Sequence, residues 1–223
     1  MKLLIIGYGR MGRLVDELAG AAGVDVVGRL DIDTIGGAWP KADVAIDFSI
    51  AEAVPANFTR LAAQRTNVVI GTTGWAAHEA GLRKQAADAG LGVVASANFS
   101  IGVNVFQLVV EEAARRMAAQ PDYESWIHEA HHSAKRDAPS GTALLLRDAM
   151  VSAGYTRPID ISSTRAGKIP GTHTVGFDSQ SDTIELTHTA RDRGGFARGA
   201  LLAARWLEGR SGWFSMMDVL RAG

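Results

Sequence analysis

The chain has 223 residues, 47% of them apolar, with a formal net charge of −1 and no cysteine. That composition allows one large domain or two small cored ones, and argues against nucleic acid or another polyanion as the main partner. The absent thiols exclude disulfides, thiolate zinc sites and thiol nucleophiles. Met1 to Ile6 is too short for a signal-peptide apolar region, and no run of about 18 apolar residues occurs, so a soluble, cytoplasmic chain with no membrane partner is expected.

Leu3 to Ile6 is wholly apolar, as a strand buried on both faces is. Gly7-Tyr8-Gly9-Arg10-Met11-Gly12 follows, then Met11, Leu14, Val15, Leu18 and Ala22 at helical spacing. Val24 to Leu30 reads as a second strand, with Asp31 lying 19 residues after Gly12. A lone G-x-G-x-x-G is weak, but a strand before it, a helix after it and an acid at this distance make a dinucleotide fingerprint. Gly7 permits the tight turn, Gly9 lets backbone approach a pyrophosphate, and Gly12 lets the helix pack on the strand. Asp31 would accept from a ribose 2′-hydroxyl and repel a 2′-phosphate. Ile32 rather than a basic residue follows it, which favours NADH. Arg29, on the same strand face, leaves NADPH open.

Val44 to Phe48 is a third buried strand. Ser49-Ile50-Ala51-Glu52 has capping-box spacing, and Pro55 marks the first turn of a helix carrying Val54, Phe58, Leu61, Ala62 and Arg65. Val68 to Ile70 is a fourth strand, followed by Gly71-Thr72-Thr73-Gly74; open α/β sheets bind ligands outside such carboxyl ends. Glu79 to Ala89 is helical and stops at Gly90. Gly92 to Ser96 is a fifth strand, running into Ala97, Asn98, Phe99 and Ser100. The alternation of strand and helix over residues 1–98 specifies a doubly wound α/β domain.

After Phe99 the pattern changes. Val103 to Ala119 is a long helix with Phe106, Val109, Val110, Ala113 and Met117 inward, ended by Pro121. Tyr123 to His128 is β-like. Ser140 caps a helix that Gly154 closes. Ile159 to Arg165, Thr172 to Phe177 and Thr183 to Thr189 are strands, the last two a hairpin. Phe196, Ala200, Ala203, Ala204 and Leu207 mark a last long helix that returns to the first half. The expected organisation is therefore a dinucleotide domain, 1–98 with 196–223, and a smaller α+β domain with a mixed sheet, 99–195.

His128 to Thr142 holds three histidines, a lysine, two carboxylates and a Pro-Ser-Gly-Thr helix start. Imidazole exchanges a proton near neutral pH, and a helix start offers backbone N–H groups to an anion. Such a set suits a small anionic substrate that needs a proton. His128-Glu129-Ala130-His131-His132 also satisfies the H-E-x-x-H zinc pattern, which works only on a helix. In a strand, residues four apart sit roughly 13 Å from each other, so no metal is expected here.

Glu129 to Ala143 closely resembles the E-x-H-H-x-x-K-x-D-A-P-S-G-T-A signature of the 4-hydroxy-tetrahydrodipicolinate (dihydrodipicolinate) reductases, NAD(P)H enzymes of lysine and diaminopimelate biosynthesis. The resemblance extends to Gly7–Gly12, Asp47-Phe48-Ser49, Gly71–Gly74, Ala97–Ser100, Arg165-Ala166-Gly167, Pro170–Thr174, Arg193 and Phe196–Ala200. It implies His131 as acid/base and Lys135 as proton donor. It implies substrate contacts from His132, from Ser140, Gly141 and Thr142 as a carboxylate cradle, and from Thr73. It further implies cofactor contacts from Gly7 to Met11, Asp31, Gly71 to Thr73, and Ser96, Ala97, Asn98 and Phe99, a small dicarboxylate substrate, and a homotetramer built through the second sheet. Asp137 and Pro139 read as architectural, Glu129 as a neighbour rather than a base, and His173 as a residue without a role. Two readings compete: another NAD-dependent imine or amino-acid dehydrogenase, which leaves the His-His-x-x-Lys run unexplained, and a non-catalytic NAD(H)-sensing protein, which has no need of His131 and Lys135.

Overall fold

Short apolar runs with no polar face need cover on both sides, and in the computed structural model, which describes residues 1–222, they become the central strands of a parallel sheet. β1 (Lys2–Ile6), β2 (Asp25–Leu30), β3 (Val44–Asp47), β4 (Asn67–Ile70) and β5 (Gly92–Ala95) are joined by α1 (Arg10–Ala19), α2 (Val54–Gln64) and α3 (Glu79–Ala89). A sixth strand, β10 (Gly212–Phe214), adds beside β5 and gives the order β10-β5-β4-β3-β1-β2. Period-two alternation splits the core in two. Leu3 and Ile5 meet α1 and α6 (Gly194–Trp206) through Val15, Ala200 and Ala204, while Leu4 and Ile6 lie on the face that Phe58, Leu61 and Leu82 cover. Each such side chain contributes about 1.5–3 kcal/mol on full burial, so it is these faces that hold the helices.

The first unit comprises residues 1–101 and those from Arg193 onward; the second is Gly102–Asp192. The second unit carries β6 (Glu124–His131), β7 (Ile159–Arg165), β8 (Thr172–Asp178) and β9 (Thr183–Thr189) in the order β7-β6-β8-β9. β6 runs parallel to β7, with α5 (Gly141–Ser152) between them in sequence, and antiparallel to β8, which pairs antiparallel with β9. Phe106, Val110, Ala114 and Met117 of α4 (Ile101–Met117) and Leu146 and Met150 of α5 cover Ile127, Val175 and Phe177.

Three expectations need correction. Ser49 caps no helix: α2 begins at Val54 after Ala53, because Ser49 Oγ donates instead to the buried Asp47 at 2.6 Å. Val109 is 46% exposed, since α4 buries the stripe through Phe106, Val110, Ala114 and Met117. β6 runs on to His131, which makes His131 a strand residue with a fixed face. Among the described residues, no helix is long and apolar enough to cross a membrane.

Candidate active site

In the first unit the loops leave β1 and β3 where the strand order reverses, the crevice at which open α/β sheets take ligands. Two of the glycines there, Gly7 and Gly12, are required by close packing, and the third, Gly9, faces open space. A Cβ on Gly12 would lie 2.2 Å from the Gly7 carbonyl oxygen and one on Gly7 2.4 Å from that of Phe48, whereas one on Gly9, the residue before α1, would meet nothing within 4 Å. Gly7 has φ +84°, which favours glycine. The result is an open backbone surface at a helix start, the kind of place that can accept an anion.

Asp47, 2% exposed, ties the next two turns together. Its carboxylate accepts from Ser49 N at 2.8 Å, Asn57 Nδ2 at 3.0 Å and Thr72 Oγ1 at 3.1 Å. That network sets Thr72 and Thr73 beside Gly9, Arg10 and Met11 around a recess of 410 Å³. Met11, Gly71, Ala97 and Phe99 line an adjoining recess of 220 Å³. Ser96 and Asn98 brace their own turn: Ser96 Oγ donates to Asn98 O at 2.9 Å, and Asn98 Oδ1 accepts from Ser100 N at 2.8 Å. Arg193 lines both recesses, a position the sequence marked only by resemblance.

Asp31 is exposed at the end of β2, and its Oδ1 accepts from Ile32 N at 2.9 Å. Ile32 is 85% exposed. Arg29 is engaged elsewhere: its Nε and Nη2 each reach Asp16 at 2.6 Å, in the forked geometry that favours an Arg–carboxylate pair. The Tyr8 hydroxyl donates to the same carboxylate. Asp16 is held below the usual carboxylate range by Arg29 first, with Tyr8 assisting.

In the second unit, strand alternation places Ser125, Ile127, Glu129 and His131 on one face of β6. Glu129 is 0% exposed. It sits opposite His173 on β8 and beside Ser163 on β7, while His131 sits beside Arg165. Its carboxylate accepts from Arg165 Nη2 at 2.6 Å and Nη1 at 2.9 Å, from His131 Nδ1 at 2.5 Å and from Ser140 N at 3.2 Å. Burial opposes this charge, but hydrogen bonds from Arg165, Ser163 and His131 outweigh it and hold the group at about 2. Arg165 also donates to the Asp137 carbonyl at 2.6 Å, pinning the loop that carries Lys135.

Ser140 is the N-cap of α5, its Oγ accepting from Ala143 N at 3.2 Å. This leaves the Gly141 and Thr142 N–H groups at the helix start outside the helix's own bonding. Ser140 Oγ also lies 3.0 Å from His173 Nε2. His173 is 4% exposed and packs edge-on against His131, ring centroids 5.1 Å apart. Burial, then the charge of His131, pushes His173 down to about 4. His131 lies below the ordinary imidazole value because burial, helped by Lys135 and Arg165, outweighs Glu129. Lys135 Nζ donates to Asp137 at 2.9 Å.

Of the expected substrate residues, the second unit therefore draws together His131, Lys135 and Ser140, with Gly141 and Thr142 following Ser140. His132 lies exposed beyond the strand end, and Thr73 belongs to the first unit. Glu129, Arg165 and His173 received no role from the sequence. The missed signal was the two-residue spacing of Glu129 and His131, which shares a face only once the strand is known to reach 131. Carboxylate and imidazole atoms of Glu129, His131 and His173 lie within 4.8 Å of one another, as metal ligands can. Glu129 is already neutralised by a bidentate arginine, which leaves the cluster little to offer a cation.

Two family models match the chain: dihydrodipicolinate reductase, N-terminus, over residues 1–99, and dihydrodipicolinate reductase, C-terminus, over residues 102–220. A 4-hydroxy-tetrahydrodipicolinate reductase of Christiangramia forsetii is 37% identical over 233 residues, covering 99% of this chain and 98% of its own. One of Methanoregula boonei is 36% identical, covering 98% and 97%. A solved dipicolinate-bound dihydrodipicolinate reductase from Paenisporosarcina sp. TG-14 shares the fold, with TM-score 0.81 at 22% identity over 96% of this chain and 97% of that one.

Proposed function

The chain belongs to the dihydrodipicolinate reductase family, and on that premise we propose which of its residues carry the reaction. It is an NAD(P)H-dependent oxidoreductase that reduces 4-hydroxy-tetrahydrodipicolinate to tetrahydrodipicolinate in lysine and diaminopimelate biosynthesis. Across the reaction, the substrate loses its hydroxyl as water and gains a hydride and a proton. The cofactor supplies the hydride; the protein must bind, orient and protonate.

His131 and Lys135 supply the proton. The observation that carries this assignment is the anchoring of His131 on a buried, ionised Glu129 beside the Ser140-capped helix start. An acid/base group held near an anion-binding helix start suits a dicarboxylate that must gain a proton. One substrate carboxylate takes the Gly141 and Thr142 N–H groups, with His132 as a further donor. Thr73 would contact the cofactor and, by the family resemblance, the substrate. Gly7 to Met11, Gly71 to Thr73 and Ser96 to Phe99 would hold the cofactor, and Asp31 would accept a hydrogen bond from its ribose. NADH is the preferred form, supported by the exposed apolar Ile32 and by the commitment of Arg29 to Asp16. The working enzyme is a cytoplasmic homotetramer assembled through the β7-β6-β8-β9 sheet.

The direct test is oxidation of NADH and of NADPH, followed by absorbance, with substrate generated in place by the preceding synthase. Turnover with both and a higher kcat/KM for NADH is expected. No turnover with either cofactor contradicts the reading, and a preference for NADPH contradicts the role given to Ile32 and Arg29.

A further inference from the structure

We infer that Glu129 and Arg165 form an opposed positioning pair that sets the orientation and proton affinity of His131. This rests on the reading of His131 as an acid/base group. An imidazole has two nitrogens, and which one faces a substrate depends on what holds the other. Here Nδ1 lies 2.5 Å from Glu129 Oε2, so the Nδ1–H tautomer is selected and Nε2 is the atom left for chemistry. The surroundings of Nε2 agree. A Cβ on Gly171 would lie 3.2 Å from it, and Gly171, at φ +122°, has none.

Glu129 can do this only because it stays ionised with 0% exposure. Arg165 supports that charge with two forked bonds, and Ser140 N and His131 Nδ1 donate to it as well, so the carboxylate keeps donors when the guanidinium is removed. The pair acts on His131 in opposite senses: the carboxylate favours the imidazolium, and the guanidinium disfavours it. The remaining charged or titratable groups bearing on His131 are Lys135, held by Asp137 on the following loop, and His173 on β8, whose ring meets the His131 ring. His173 is kept neutral by burial and so adds no repulsion near neutral pH.

Opposed signs distinguish positioning from mere structural support. In the full-length enzyme, the His131 imidazole is titrated by nitrogen-15 NMR in the wild type, Glu129→Gln and Arg165→Gln, beside pH profiles of kcat. Glu129→Gln should lower the His131 midpoint by at least about half a pH unit, and Arg165→Gln should raise it. In Glu129→Gln, kcat should fall on the order of tenfold or more with KM little changed, as expected when a base loses its orienting partner. Should Glu129→Gln not fold, Glu129→Asp keeps the charge but withdraws it from Nδ1, and the same downward shift is expected. A folded variant at position 129 whose His131 midpoint and tautomer match the wild type overturns the proposal, as does a shift of the same sign in both the Glu129 and Arg165 variants. The underlying reading fails separately, if His131→Ala retains wild-type turnover.

Discussion

In the first unit, the recess beside β1 and β3 is formed by the turns after β1, β3 and β4, with Gly9 and Gly71 among them and Arg193 as its one further residue. In the second, the ground around His131 is formed by a buried carboxylate, a guanidinium and a second imidazole. A cofactor common to many enzymes can be held by shape and N–H groups. A proton delivered to one particular substrate needs charges balanced against one another. The two regions should therefore fail differently, the first through added volume and the second through removed charge.

The largest effect should come from the charged region. Lys135→Ala and His131→Ala should each lower kcat by on the order of a hundredfold or more, the usual scale for a lost acid or base. Steady-state rates with saturating NADH measure this, and a loss below about fivefold in both would move the chemistry elsewhere.

Added volume comes next. Gly12→Ala drives a Cβ to 2.2 Å from the Gly7 carbonyl, so it should weaken NADH binding tenfold or more and cost about 1–3 kcal/mol of stability. Gly9→Ala meets nothing within 4 Å of its own fold, so it should weaken NADH while leaving the melting temperature near wild type. Equal thermal losses in the two variants would remove the distinction between packing glycine and ligand-facing glycine.

Acid should separate the regions more gently. His173 is pushed from 6.5 to about 4 in the folded chain, so between these values the unfolded state binds the extra proton. Its contribution is full above about pH 6.5 and is lost as pH falls toward 4, at up to about 1.4 kcal/mol per pH unit. Glu129, depressed from 4.5 to about 2, adds a further loss only below about pH 4.5. Thermal unfolding between pH 7 and 5 should thus fall in the wild type and flatten in His173→Asn. Parallel curves would contradict a neutral buried His173.

The smallest effect concerns cofactor choice. Asp16→Asn should loosen Arg29 and raise the NADPH-to-NADH ratio of kcat/KM a few-fold, within the modest range of one exposed ion pair. An unchanged ratio would mean that Asp31 alone decides.

The same contrast explains what the sequence disclosed. The first unit follows local rules: Gly7, Gly9 and Gly12 are required by backbone geometry, and Leu3–Ile6 by burial on two faces, so both are visible in neighbouring residues. The second unit's strands were legible too, with Ile159–Arg165 and Thr183–Thr189 found at the expected bounds. Its charge network was not. Glu129 meets Arg165 and His173 only across strand registers 36 and 44 residues away, and no local period encodes a register. Ser49 misled for the same reason, since its local capping pattern lost to a tertiary bond with Asp47. The final short strand, β10, escaped notice because three residues carry too little periodicity to be read.

The division of labour is tested most directly by titrating NADH into the wild type and the His131→Ala/Lys135→Ala double variant and comparing the dissociation constants. The account predicts agreement within about twofold although turnover is lost, because neither side chain belongs to the cofactor groove. A double variant that binds NADH tenfold more weakly, while remaining folded, would contradict it.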